Sequence, residues 1–283
     1  MAPDAEPEFA QPLTLEEAIA NLKGEDAGLR FYSAWWFGKF KVNHPEATEL
    51  LIEALKDDRD RTEEGGYPLR RNAARALGKV NAVEAVPALI EALGCSDYYV
   101  VEGAAQSLEL LGDARAIEPL LHILEKGLRI EKESGAAGVQ SLVQLVPEQP
   151  DLSQPYDAIL EALGTLAAIP FIQQIEPFLS HPTPRVQYAA ARAMYQITGE
   201  NQYGDRLITA LQGPDLQLRR AALMDVGAIG YLPAAETIAN TLAENSLKLI
   251  SMKGLLEYQI NHNPDGARSK EAIYVMDLMD SML

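Results

Sequence analysis

A single cysteine, Cys95, stands among 283 residues. One thiol excludes an intramolecular disulfide and a cysteine-rich zinc site, and it fits a reducing, cytoplasmic compartment. No histidine lies near it in sequence, so an inert thiol is expected rather than a nucleophile. His44, His122, His181 and His262 are scattered, no two at metal-ligand spacing, which leaves them structural or surface roles. Aromatic residues are scarce at 7%, while alanine and leucine dominate, a balance that favours helices over sheets. Positive charge is the scarcer sign, with 24 Lys and Arg against 41 Asp and Glu and a formal net charge of −17. Such a surface repels phosphate backbones and anionic lipid, so neither nucleic acid nor membrane is an expected partner. No uninterrupted apolar stretch is long enough to span a bilayer. Met1–Pro12 has neither a basic n-region nor an apolar h-region, and reads as a flexible acidic tail rather than a secretory signal. GxGxxG, P-loop, HExxH and GxSxG motifs are all missing, so no compact nucleotide or metal site is expected.

What the chain does have is a repeat. Its hydrophobic content of 47% supports one long domain or two ordinary ones. LRRNAARALGKV (69–80) aligns with LRFYSAWWFGKF (29–40), matching Leu, Arg, Ala, Gly and Lys at an offset of 40. Further copies are VVEGAAQSLELLGD (100–113), VQYAAARAMYQITG (186–199) and LRRAALMDVGAIG (218–230), with a weaker one at PYDAILEALGTL (155–166). Each is followed by a second apolar segment opened by proline or a short turn, such as AVPALIEAL (85–93) or AIEPLLHIL (116–124). Paired helices at a period of roughly 30 to 40 residues indicate an all-α, HEAT/armadillo-like α-solenoid of helix-pair repeats. Neither helix of a pair can bury its apolar stripe alone, so neighbours must stack. The expected organisation is a tail at 1–12, repeats over 13–245 and a helical cap over 246–283. A charged insert is expected near 57–66, and near 125–154 an inserted loop with one short helix.

The repeat register also predicts a surface. The helix bearing the AAxALG pattern is expected to line the concave side, with Ala and Leu facing the core. Positions aligned with Arg71 and Arg75 then fall one turn apart on the opposite, solvated face. One column reads Phe31, Arg71, Glu102, Asp157, Tyr188 and Arg220; the other reads Trp35, Arg75, Gln106, Glu161, Arg192 and Met224. Aromatic faces, guanidinium forks and carboxylates together suit a flat, conjugated, acidic ligand. The ligand-binding candidates are Phe31, Tyr32, Trp35, Arg71, Arg75, Tyr188, Arg192 and Arg220, with Asp157 and Glu161 as candidate catalytic carboxylates. The plainer readings are solvating arginines, capping carboxylates and a packing role for Trp36, which falls in the column of Ala76.

RFYSAWWFGKF, YPLRRNAARALGKV, CSDYYVVEGAAQSLELLGDARA and DLQLRRAALMDVGAIGYLP are similar to the E-type subunit of the E/F-type phycobilin lyases. The tandem-tryptophan segment is the specific part of the likeness, which runs from about Leu13 to Leu283. The resemblance implies a heterodimer with an F-type HEAT-repeat subunit, phycocyanobilin as substrate rather than cofactor, and an apo-phycocyanin alpha subunit as acceptor. It implies addition of an acceptor cysteine thiol across the ring-A ethylidene group, the lyase supplying positioning and control of protonation. The alternatives are a non-catalytic HEAT-repeat adaptor of phycobiliproteins, or a chromophore-detaching or isomerising relative.

Overall fold

A computed structural model describes residues 13–132, 143–147, 154–262 and 269–282. The chain divides into two compact units, the first ending at Leu111 and the second beginning at Gly112.

Unit 1 is a run of six helices: α1 (Leu15–Lys23), α2 (Ala27–Phe40), α3 (Pro45–Ala54), α4 (Pro68–Lys79), α5 (Val86–Ala92) and α6 (Tyr98–Leu111). Their starts are written in the sequence. The Asp26 carboxylate accepts the Leu29 N–H at 2.9 Å to cap α2, and prolines open α3, α4 and α5, where a missing N–H removes no helical bond. The leading helices α2, α4 and α6 pack side by side, and the trailing helices α1, α3 and α5 each pack on the leading helix that follows. Ala34, Phe37, Leu69, Ala73, Ala74, Leu77, Leu89, Ala104 and Leu108 are fully buried between the layers.

The glycine of the AAxALG pattern explains how the leading helices come so close. A Cβ on Gly78 would lie 2.6 Å from the Cα of Ser107, and one on Gly38 would lie 3.0 Å from the Cα of Ala76. The Ser107 hydroxyl uses this proximity to donate to the Ala74 carbonyl at 2.6 Å. The segment 57–66 lies against α4: the Leu69 N–H donates to Asp60 at 2.6 Å, and Arg70 donates to the Asp57 carbonyl at 2.9 Å.

Unit 2 holds α7 (Ile117–Lys126), strands β1 (Leu128–Lys132) and β2 (Val143–Pro147), then α8 (Tyr156–Thr165), α9 (Ile172–Ile175), α10 (Pro184–Thr198), α11 (Asn201–Gln212), α12 (Leu216–Ile229), α13 (Ala235–Asn240), α14 (Asn245–His262) and α15 (Lys270–Asp280). The leading helices α8, α10, α12 and α14 stack in order. Leu223, Val226, Ile229, Ile238, Met252 and Leu255 form part of the core beneath them. The expected C-terminal cap begins as another leading helix. The Ser251 hydroxyl donates to the Leu223 carbonyl at 2.5 Å, and Gly227 abuts Ser251, repeating the arrangement of Ser107 on Ala74 and Gly78.

The insert at 125–154 departs from the sequence expectation. Among its described residues two strands pair antiparallel, Leu128 with Pro147 through Lys132 with Val143, where no strand was expected. Alternation runs over only four residues in LRIEK and three in VQLVP, too short a pattern to stand out as a strand in the sequence. The tail at 1–12 lies outside the described residues.

Candidate functional site

The α2 face of unit 1 is aromatic and open. Phe31, Tyr32 and Trp35 are 42%, 46% and 41% exposed, unusual for rings of this size. Tyr32 stacks on Trp35 with centroids 5.4 Å apart, and Phe40 meets the edge of Trp35 at 6.5 Å. Trp36, expected to pack as a core residue, is only half-buried. It leans on Phe37 at 5.2 Å and Phe40 at 5.4 Å, and Phe37 is the ring that α2 buries completely.

Beside this face, α4 presents Arg71 and Arg75, and neither guanidinium is free. Arg71 pairs with Asp97 at 2.8 Å and lies over the ring of Tyr99 at 4.7 Å. Asp97 also accepts the N–H groups of Tyr67 and Tyr99 at 2.7 and 2.9 Å. Burial alone would raise the Asp97 carboxyl; Arg71 and the two backbone donors outweigh it and hold it below the usual carboxylate range. Arg75 pairs with Glu102 at 2.7 Å, with its side chain 39% exposed. The expected clamp arginines of unit 1 therefore arrive already matched to carboxylates, Asp97 just before α6 and Glu102 on it.

In unit 2 the corresponding positions form a denser network. Arg185, at the start of α10, contacts Asp157 at 3.4 Å, Asp225 at 2.6 Å, and Glu161 more closely still. Arg192 contacts Glu161 at 3.0 Å and Asp225 at 3.3 Å. Desolvation would lower the Arg185 pKa, and the charges of Asp225 and Glu161 drive it above its ordinary value instead. Arg192, expected on a solvated face, is 8% exposed. Its neighbours α8 and α12 close over it to bring Glu161 and Asp225 within reach. Glu161 is likewise enclosed, with its side chain 13% exposed, whereas Asp157 keeps 25%. Tyr188 is half-buried against the core of the unit. Arg220 pairs with Glu244, whose carboxyl this contact holds down at about 2. His181 is buried and stacked on Phe178; desolvation lowers its pKa, and its Nδ1 accepts the Thr183 N–H at 3.1 Å, so it is a neutral structural ring.

The sequence columns did not include Arg185, Asp225, Asp97 or Glu244. One of them carries a signal. In the repeat register Asp225 shares the column of Trp36, Ala76 and Ser107, so a carboxylate at a packing position marks a buried ion pair. Arg185, Asp97 and Glu244 leave no comparable trace, because they sit at or just before the starts of their helices, outside the aligned columns. Among the described residues no cluster of His, Cys, Asp or Glu could hold a metal ion. The chemistry on offer is non-covalent: ring faces for a flat π-system, guanidinium forks that can exchange a carboxylate partner, and carboxylates that can meet N–H donors.

Residues 29–57 match the PBS lyase HEAT-like repeat, and residues 66–136 match HEAT repeats. The phycocyanobilin lyase subunit alpha of Microchaete diplosiphon is 60% identical over 276 residues, covering 96% of this chain and 90% of the relative. The chain belongs to the phycocyanobilin lyase alpha-subunit family. Its fold agrees with a solved member: the complex of CpcE and CpcF of phycocyanin lyase from Nostoc sp. PCC7120 matches with TM-score 0.82 and 50% identity, covering 100% of both chains. The bilin biosynthesis protein PecE of Mastigocladus laminosus is more distant, at 43% identity over 92% of this chain and 87% of that one. The stretch that matches the PBS lyase repeat is also the one carrying the exposed rings Phe31, Tyr32 and Trp35.

Proposed function

We propose that this chain is the alpha-type subunit of a heterodimeric phycocyanobilin lyase, acting with an F-type subunit to join phycocyanobilin to the apo-phycocyanin alpha subunit. The observation that carries this reading is 60% identity to a phycocyanobilin lyase alpha subunit across 96% of the chain. In the reaction the acceptor cysteine sulfur bonds to the ethylidene carbon of ring A, and the thiol proton ends on ring A. Addition consumes no oxidant or reductant, and the nucleophile belongs to the acceptor. The work left to the lyase is to hold the pigment in one conformation and to govern its protonation.

The exposed residues are the best placed to do this. In unit 1, Phe31, Tyr32 and Trp35 offer ring faces to the conjugated system, and Arg75 can trade Glu102 for a propionate. Arg71 is held by Asp97 and orders the rim. Of the two candidate arginines in unit 2, Arg220 is the more accessible, while Arg192 and Tyr188 act from beneath the surface. Asp157 is the more open of the two carboxylates assigned to the pyrrole nitrogens, with Glu161 behind it. We place the enzyme in the cytoplasm with its acceptor, a reducing compartment in which its lone thiol, Cys95, fits.

Co-expression with an F-type subunit, the apo-alpha subunit and a bilin source tests the reading. The expected product is an alpha subunit whose pigment survives denaturation and fluoresces with zinc. A colourless acceptor, with both lyase subunits present and folded, rules the reading out.

A further inference from the structure

The leading helices of unit 1 stack in a fixed way, and α2 is the exception. On α4 and α6, one side always faces the preceding leading helix. Asn72 of α4 donates to the Phe31 carbonyl of α2 at 3.1 Å, and Ala76 of α4 abuts Gly38 of α2. One repeat later, Gly103 of α6 abuts Arg75 and Ala74 of α4, and Ser107 abuts Gly78. The side facing backward is therefore built from small or short residues: Asn72 and Ala76 on α4, Gly103 and Ser107 on α6.

The same two register positions on α2 hold Tyr32 and Trp36. Leu29 and Phe40 continue the line one turn to either side, at spacings of three and four residues. α1 packs on α2 as α3 packs on α4, so the trailing layer is complete. Among the described residues, no leading helix precedes α2. The backward face is correspondingly open: Leu29, Tyr32 and Phe40 are 49%, 46% and 59% exposed. A repeat face left to solvent is normally polar, and this one carries a tyrosine, a tryptophan and a phenylalanine. Aromatic residues of this kind are the usual anchors of a protein interface.

We infer that the backward face of α2 (Leu29, Tyr32, Trp36 and Phe40) is the seat for a helix of the F-type subunit, which occupies the place a preceding leading helix takes in every later repeat of unit 1. This rests on the lyase reading for the identity of the partner. The occupant has the chemistry the stack already uses, an apolar helix face from a helical-repeat chain, but with room for large rings rather than alanine. Tyr32 thereby moves from a purely pigment-facing role to the border between pigment and partner. Its stack on Trp35 joins the two surfaces, so partner docking would set the ring that the pigment meets.

The test uses the full chain and its F-type subunit, with affinity measured by sedimentation or calorimetry. Tyr32→Lys with Phe40→Lys, both at exposed positions, is expected to weaken the heterodimer about 100-fold and leave the melting temperature of the free chain within about 2 °C. Ile273→Lys, an exposed apolar control on α15, is expected to leave affinity unchanged. A double variant that binds within threefold of wild type overturns the inference. So does a double variant whose free chain melts more than 5 °C lower, since the face is then covered by this chain's own residues. Bilin transfer at saturating F-type subunit separates the two levels. Wild-type transfer with an unaffected double-variant heterodimer sinks the inference alone, and a wild-type chain that pairs with no F-type subunit sinks it together with the lyase reading.

Discussion

The guanidinium of Arg185 and the carboxylate of Asp225 meet at 2.6 Å between α10 and α12, with the aspartate side chain 1% exposed. Arg192 reaches the same carboxylate from one face of α10 at 3.3 Å. Two cations on one helix thus converge on one anion of the next. Removing Asp225 leaves two enclosed guanidiniums to share Glu161, with Asp157 more distant, so the site carries an excess of buried positive charge. Asp225→Ala is expected to destabilise the chain by about 3–5 kcal/mol. Replacement of an exposed acidic residue such as Glu257 should fall within about 0.5 kcal/mol. Denaturant melts of the two variants settle it: equal midpoints would mean the network contributes nothing.

A second stability test concerns the close approach of leading helices. Gly78 has no space for a methyl group, because a Cβ there would lie 2.6 Å from the Cα of Ser107. Gly78→Ala is expected to destabilise by about 1–3 kcal/mol, the range for overpacking a close-packed core. Gly94, where the nearest neighbour of a Cβ is a carbonyl oxygen at 3.4 Å, is the control, with an effect of about 0.5 kcal/mol or less for Gly94→Ala. The two thermal melts, compared directly, check whether helix spacing or glycine as such is responsible.

The stacking of leading helices was legible in the sequence because it repeats. Gly38, Gly78 and Gly227 recur at one register position, and so do the alanines beside them. A column is readable when every copy solves the same packing problem. The charge partners were not legible for the opposite reason. Of the partners of Arg71, Arg75 and Arg220, Glu102 stands in the first column, but Asp97 and Glu244 lie outside both columns and just before the helices that follow. Arg192 shows the limit most clearly. Register put it opposite the alanines, while the bulk of α8 and α12 around it turned that face into an interior. The strand pair escaped for want of length, with five residues in each strand.

Asp57 gives the stability a pH dependence. It sits between Arg30 at 2.5 Å and Arg59 at 2.7 Å, with its side chain 10% exposed. Burial would raise its carboxyl, but the two arginines hold it well below the ordinary carboxylate value. A group depressed on folding stabilises above its unfolded pKa, about 3.9 for aspartate, and loses that contribution as pH falls toward the folded value. Asp57→Asn should therefore be less stable than wild type at pH 7, with the gap shrinking once pH drops below about 4. Urea midpoints at pH 7, 5 and 3 measure the gap directly; a gap independent of pH would show that Asp57 acts by packing instead.

The last expectation distinguishes a clamp from an ordinary surface ion pair. Arg75 and Glu102 lie 2.7 Å apart beside the aromatic face of α2. If Arg75 receives a bilin propionate, Glu102 competes for the same fork. Removing the competitor should then help the pigment: Glu102→Gln is expected to tighten binding about 3- to 10-fold. Arg75→Met should weaken it about 10-fold, the lower end for a charge-assisted bond, because the arginine is partly screened by water. The opposite signs matter more than either size. A purely structural pair would respond alike to losing either member, since both variants break the same bond. Both residues sit on leading helices of unit 1, so neither change empties the core, and melting temperatures should stay within about 2 °C. Visible titration of the assembled heterodimer with phycocyanobilin reads the result. Weaker binding in both variants would assign Arg75 to the scaffold and leave the propionates to be held elsewhere.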